Sequence, residues 1–72
     1  MRVTLNRHED TLRIALTEYE DADIARQYML VEHDVRGDFT FLLNKKGVLL
    51  GIEVKFASSA LPEEFLNEAE LA

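Results

Sequence analysis

Between Asn44 and Phe56 the chain reads Asn-Lys-Lys-Gly-Val-Leu-Leu-Gly-Ile-Glu-Val-Lys-Phe, and no other stretch limits the fold as tightly. Val48, Leu50, Ile52, Val54 and Phe56 alternate with Leu49, Gly51, Glu53 and Lys55. Side chains on a strand point to opposite faces with period two. The alternation therefore predicts a strand with five large apolar groups on one face and Glu53 and Lys55 on the other. The residues before it have turn chemistry: Gly47 takes a positive φ without a Cβ clash, and Asn44 tolerates left-handed backbone. Gly51 lies inside the strand, where glycine weakens pairing and marks a bulge or a close approach of another backbone. Glu53 reads either as the partner of an arginine on a neighbouring strand or as a solvated group.

The other apolar runs are shorter. Met1, Val3 and Leu5 alternate with polar residues, and after the polar link Asn6 to Asp10 so do Leu12, Ile14 and Leu16; the two runs read as an antiparallel hairpin. Thr17 to Asp23 carries four acids and one large apolar side chain, Tyr19, and reads as a solvated loop. From Ile24 to Val35 two patterns compete. Ala25, Gln27, Met29 and Val31 share one parity and Ile24, Arg26, Tyr28 and Leu30 the other, while Ile24, Tyr28 and Val31 also fit helical spacing. A strand over Arg26 to His33 is preferred because its neighbours are strands, and the helix stays open. Phe39, Phe41 and Leu43 form a further strand, whose phenylalanines should lie across from the aliphatic face of the Val48 to Phe56 run. After Phe56 the period changes. Ser58 and Ser59 offer caps, Pro62 suits a first turn, and Glu63 and Glu64 suit the positive end of a helix dipole. Leu61, Phe65, Leu66 and Ala69 then form the apolar stripe of a helix of about ten residues, which is marginal alone and must dock on the sheet or on another subunit. The expected architecture is α+β: one domain over residues 1–72, an antiparallel β-meander of about five short strands with a short C-terminal helix packed on it.

Seventy-two residues make a small core, and chains of this size commonly need a staple. There is no cysteine, so neither a disulfide nor a thiolate zinc site can serve. An unusually good core, a non-thiolate metal or another subunit remains as the supplement. Eight basic against fourteen acidic residues give a formal charge of -6, with no basic stripe, which disfavours nucleic acid and anionic membrane surfaces as partners. No apolar run reaches the roughly 20 residues of a membrane span. The first residues lack the apolar core of a signal peptide, so a cytoplasmic protein is expected.

Groups that carry chemistry are sparse. His8, Glu9 and Asp10 form the best constellation, since an imidazole and two carboxylates can ligate a cation or exchange a proton. Neighbouring residues on a strand point apart, however, so the three converge only if the turn curls them together, and a hydrated hairpin tip explains the trio equally well. His33 and Asp34 read as a solvated strand end, and a joint His8 and His33 site would need two hairpin ends to meet. Glu18, Glu20, Asp21 and Asp23 lack the alternating ligands and glycine of a calcium loop. Ser58 and Ser59 have no nucleophile-elbow glycines around them. No catalytic, metal or cofactor-binding residue is assigned.

One segment does carry a likeness. Gly47-Val48-Leu49-Leu50-Gly51-Ile52-Glu53-Val54, followed by Ala57-Ser58 and Leu61-Pro62, resembles the small bacterial family known as domain of unknown function 2283. Asp10-Thr11-Leu12-Arg13-Ile14 is similar to its N-terminal half, with Arg13 where that family tends to have an aromatic and with a longer acidic loop from Thr17 to Asp23. The resemblance implies a β-meander with a terminal helix, hints at an antitoxin-like role, and supplies no catalytic residue. The expected function is a non-enzymatic protein-interaction module acting as a homo-oligomer, a dimer in the simplest case, with Leu61, Phe65 and Leu66 as interface candidates. The alternatives are an antitoxin-like protein that neutralises a basic partner protein and, behind it, a small metal-dependent enzyme using His8, Asp10 and His33.

Overall fold

Leu5, Leu12 and Val54 lie side by side across three strands and are the most deeply buried large side chains of the chain, at 2%, 0% and 1% exposure. The computed structural model describes residues 1–72 and builds the fold around this row. Strand β1 (Arg2–Asn6) turns into β2 (Thr11–Ala15), and after a single 3₁₀ turn at Asp21–Asp23 come β3 (Arg26–Leu30), β4 (Asp38–Leu43) and β5 (Leu49–Lys55). Two short helices, α1 (Ala57–Ala60) and α2 (Glu63–Glu68), and a two-residue strand β6 (Glu70–Leu71) complete it. The six strands form one sheet in the order β3-β4-β5-β2-β1-β6, antiparallel except where β6 joins β1.

The α+β class holds, with six strands in place of about five and a different order. Only β3, β4 and β5 form a meander. The connection Leu16–Ala25 crosses the end of the sheet from β2 to the far edge, and β5 returns to lie beside β2, which makes β2 to β5 a Greek key. Periodicity identifies strands but not their neighbours, so a long loop between β2 and β3 leaves the order undetermined in sequence. The segment after Ile24 is strand and not helix, and it ends at Leu30, short of His33.

The Val48 to Phe56 alternation holds in its middle and fails at both ends. Ile52 and Val54 face the helices, and Phe41 and Phe39 stand directly across from them as expected. Val48 belongs to the turn, where its N–H donates to the Asn44 side-chain oxygen at 3.0 Å, and it is exposed. Phe56 adopts left-handed backbone, φ 58°, which swings the chain from β5 into α1 and throws its ring into solvent. Leu50 sits at a register shift, where Leu49 pairs with Leu43 and Gly51 with Leu42. It is buried apart from the central cluster, under the loop that carries Tyr19.

The single terminal helix expected from the apolar stripe is two helices. Leu61 is extended and Pro62 caps the second helix, which places Glu63 and Glu64 in its first turn as anticipated. Leu66 reaches the central cluster with Ala57, while Leu61, Ala60 and Ala69 pack around it. The helices thus roof β1, β2 and β5, and the roof stops short of β3. Along the row Leu5, Leu12, Val54, Phe39, Leu30, residues paired in successive strands pass from fully buried to 40% exposed.

On the opposite face Gly51 receives the loop. A Cβ there would lie 2.6 Å from the Ile14 carbonyl oxygen and 2.8 Å from the Tyr19 hydroxyl. The close approach read from the sequence is therefore real, and it is made by β2 and Tyr19 and not by the terminal helices. Replacing Gly51 with valine should destabilise the protein by about 1–3 kcal/mol in denaturant unfolding, despite the better strand propensity of valine, because the β2 backbone cannot yield. An unchanged midpoint would mean that the contact is readily relaxed.

Candidate functional site

The constellation His8, Glu9 and Asp10 occupies the β1–β2 turn, and the structure assigns two of its members to architecture. Asp10 has a positive φ of 53°, a conformation that aspartate tolerates better than most residues. Its carboxylate accepts two hydrogen bonds from Ser58 at the start of α1, from the backbone N–H at 2.9 Å and from the hydroxyl at 2.7 Å. Its carbonyl accepts the N–H of Ala57 at 2.9 Å. Asp10 thus caps α1 from 48 residues away, a role for which the chain carries no local signal. Ser58 is the recipient of that cap and not a cap itself. The Glu9 N–H donates to the Asn6 side-chain oxygen at 3.1 Å, closing the turn. His8 is exposed.

His33 lies in the β3–β4 loop at the same end of the sheet, but β5 stands between that hairpin and the β1–β2 hairpin. The two turns are roughly three strand spacings apart, about 14 Å. No group of three or more His, Asp or Glu side chains gathers to hold a metal ion anywhere in the structure. In the acidic loop, Asp23 accepts the Glu20 N–H at 2.8 Å and closes the 3₁₀ turn, while Glu18, Glu20 and Asp23 are all exposed.

Beside this loop an open cleft of about 840 Å³ is lined by Arg2, Arg13, Glu18, Tyr19, Glu20 and Asp23, and a smaller one of about 470 Å³ flanks Tyr19 toward Lys45 and Lys46. Both arginines of the larger cleft are already engaged. Arg13 Nη2 donates to Glu53 Oε2 at 2.6 Å, directly across the β2–β5 pair, and Arg2 Nε donates to Glu70 Oε2 at 2.9 Å. The Glu53 hydrogen bond holds the Arg13 guanidinium above its usual range, against partial desolvation, so Arg13 remains charged at any pH at which a protein folds. Of the two readings of Glu53, the arginine partner holds and the solvated group does not. With its cations paired internally, the cleft offers no convergent charge to an anionic substrate. The Tyr19 hydroxyl is cut off from solvent without a hydrogen-bond partner, consistent with a ring that serves as cover for Gly51.

The apolar surface is distributed differently from the sequence reading. Leu66 is 6% exposed and belongs to the central cluster, and Leu61 packs against that cluster, so both are occupied within the chain. Phe65 alone of the three candidates remains at the surface, at 36% exposure. The larger exposed set is on β3, where all five residues are exposed, with Tyr28 at 54%, Met29 at 57% and Leu30 at 40%; Val31 follows at 82%. The signal for this was present in the sequence: large apolar residues stand on both parities of Arg26 to Val31, without the polar alternation of a strand with one wet face.

No family model matches this sequence, and no curated protein or solved structure matches it either.

If Asp10 is a structural cap, Asp10→Ala should lower stability by about 1 kcal/mol in denaturant unfolding, and Asp10→Asn, which keeps an acceptor and tolerates positive φ, should lose less. Equal losses in the two variants would contradict the capping role.

Proposed function

We propose that this protein is a non-enzymatic interaction module that acts as a homo-oligomer, a dimer in the simplest case. One observation carries the reading. An edge strand of the sheet presents Tyr28, Met29, Leu30 and the adjoining Val31 to solvent on both faces, in a chain where only eight of 72 residues are buried. Contiguous apolar surface on a small protein marks an interaction site, and a core of this size gains from a second subunit. The chemistry described above supports a non-catalytic role: Asp10 is engaged in capping, Arg13 is paired with Glu53, and the histidines stand apart. A cytoplasmic setting and kinship with the domain of unknown function 2283 family belong to the same proposal. No helix is long and apolar enough to cross a membrane.

Light scattering should give twice the 8.3 kDa chain mass at micromolar concentrations and above. A mass of one chain throughout that range would reject the reading. A second reading, neutralisation of a basic partner protein, draws support from the exposed Glu18, Glu20 and Asp21 beside the open cleft and from the net charge of -6. Its test is titration with a basic polypeptide at physiological salt, where an unchanged mass would dismiss it.

A further inference from the structure

We propose that β3 pairs with β3 of a second copy, antiparallel, about a two-fold axis through Met29, so that two six-stranded sheets become one continuous sheet. The inference rests on the oligomer reading above and names its interface.

The two edges of the sheet are unlike. On one side β6 is two residues long and runs parallel to β1, and the Arg2 to Glu70 ion pair lies beside it. Short strands and charges are the usual means of blunting an edge. On the other side β3 is five residues long, and Gln27 to Val31 contains no charge, proline or glycine. One flank of β3 is paired with β4, while the other leaves a row of backbone N–H and C=O groups without a strand partner. Such an edge is a template for another strand, and closed oligomers most often form through two-fold axes.

The sequence of β3 specifies which strand fits. A two-fold axis normal to the sheet keeps like faces together, and side chains alternate, so the axis must pass through a residue and not between two. Centred on Met29, it sets Arg26 against the partner's Glu32, Tyr28 against the partner's Leu30, Gln27 against the partner's Val31, and Met29 against its own copy. Arg26, Tyr28, Leu30 and Glu32 share one parity. The helix-side face of the seam therefore becomes an apolar row, Tyr28 and Leu30 from each copy, closed at both ends by opposite charges. Phe41 and Phe39, the β4 partners of Tyr28 and Leu30, extend that row into each subunit. Neighbouring registers lose the match. An axis through Leu30 sets Glu32 against Tyr28, and one through Tyr28 leaves Arg26 facing Leu30 and Glu32 facing Ile24. This self-complementarity of charge and shape is what commits the surface to a second copy of the chain.

The chain has no cysteine, so introduced thiols report without background. Under mild oxidation Met29→Cys should link to itself as a covalent dimer. Gln27→Cys and Val31→Cys should each fail to self-link, their like residues being roughly 13 Å apart in this register, yet should link to one another when mixed. Arg26→Glu should weaken dimerisation about tenfold or more, and the double variant Arg26→Glu with Glu32→Arg should restore it. A dimer that Met29→Cys does not link and that the charge variants leave unchanged would overturn this interface while sparing the oligomer reading. A wild-type protein that stays monomeric at all concentrations would overturn both.

Discussion

The contact between Leu12 and Val54, paired across the antiparallel β2–β5 ladder at the heart of the apolar cluster, is the constraint on which the rest of this fold depends. These residues are drawn from opposite ends of the chain, and their pairing converts two separate hairpin-like units into one sheet. Leu5 extends the row on one side, Leu66 and Ala57 close it from above, and Asp10 fixes α1 over it by capping from the β1–β2 turn. The opposite face is held by the same pair of strands, through Arg13 and Glu53 and through the Gly51 contact that admits Tyr19. Both faces therefore draw their support from two central strands, and that support thins outward. Two helices of four and six residues cannot roof six strands. At β3 there is no cover on either face, and hydrophobic burial, which contributes about 25 cal/mol per Å², is left incomplete there.

Much of this was legible in the residues. Period-two alternation located β1, β2, β4 and β5, the neighbouring strands favoured β3 over a helix, and the Phe39 and Phe41 pairings with Val54 and Ile52 followed. Gly51 and Glu53 were each marked by a residue type at odds with its neighbours, a glycine inside a strand and a carboxylate between apolar groups; Gly51 has a close backbone approach, and Glu53 takes an arginine partner where solvent was the alternative. What escaped was information that resides between distant segments. The order of the strands depends on where a ten-residue loop travels, the capping of α1 depends on Asp10 and Ser58 meeting across 48 positions, and β6 depends on two residues finding the edge of β1. The ends of the Val48 to Phe56 run departed from alternation because a turn and a left-handed residue override periodicity at the boundaries of a strand.

The candidate site followed the same division. His8 and His33 invited a metal or acid-base reading because of residue type, yet the Greek key sets their turns apart, and Asp10 is committed to structure. The apolar stripe of the terminal helices suggested an interface, yet Leu66 is needed beneath the roof to close the central row. The surface left over is β3, where apolar residues on both parities have no intramolecular partner. An unroofed edge with a self-complementary sequence relates the incomplete core to the proposed role, since one strand pairing would supply both the missing burial and the assembly.

Amide hydrogen exchange along β3, followed as a function of protein concentration, tests that link most directly, because it reads the backbone groups that the pairing would occupy. With β3 paired to its copy, alternate amides between Arg26 and Glu32, those directed away from β4, should exchange slowly in concentrated solution and lose their protection on dilution through the dissociation range, while the amides of β2 and β5 keep theirs. Outward amides of β3 that exchange at the rate of an open edge at every concentration would contradict that pairing.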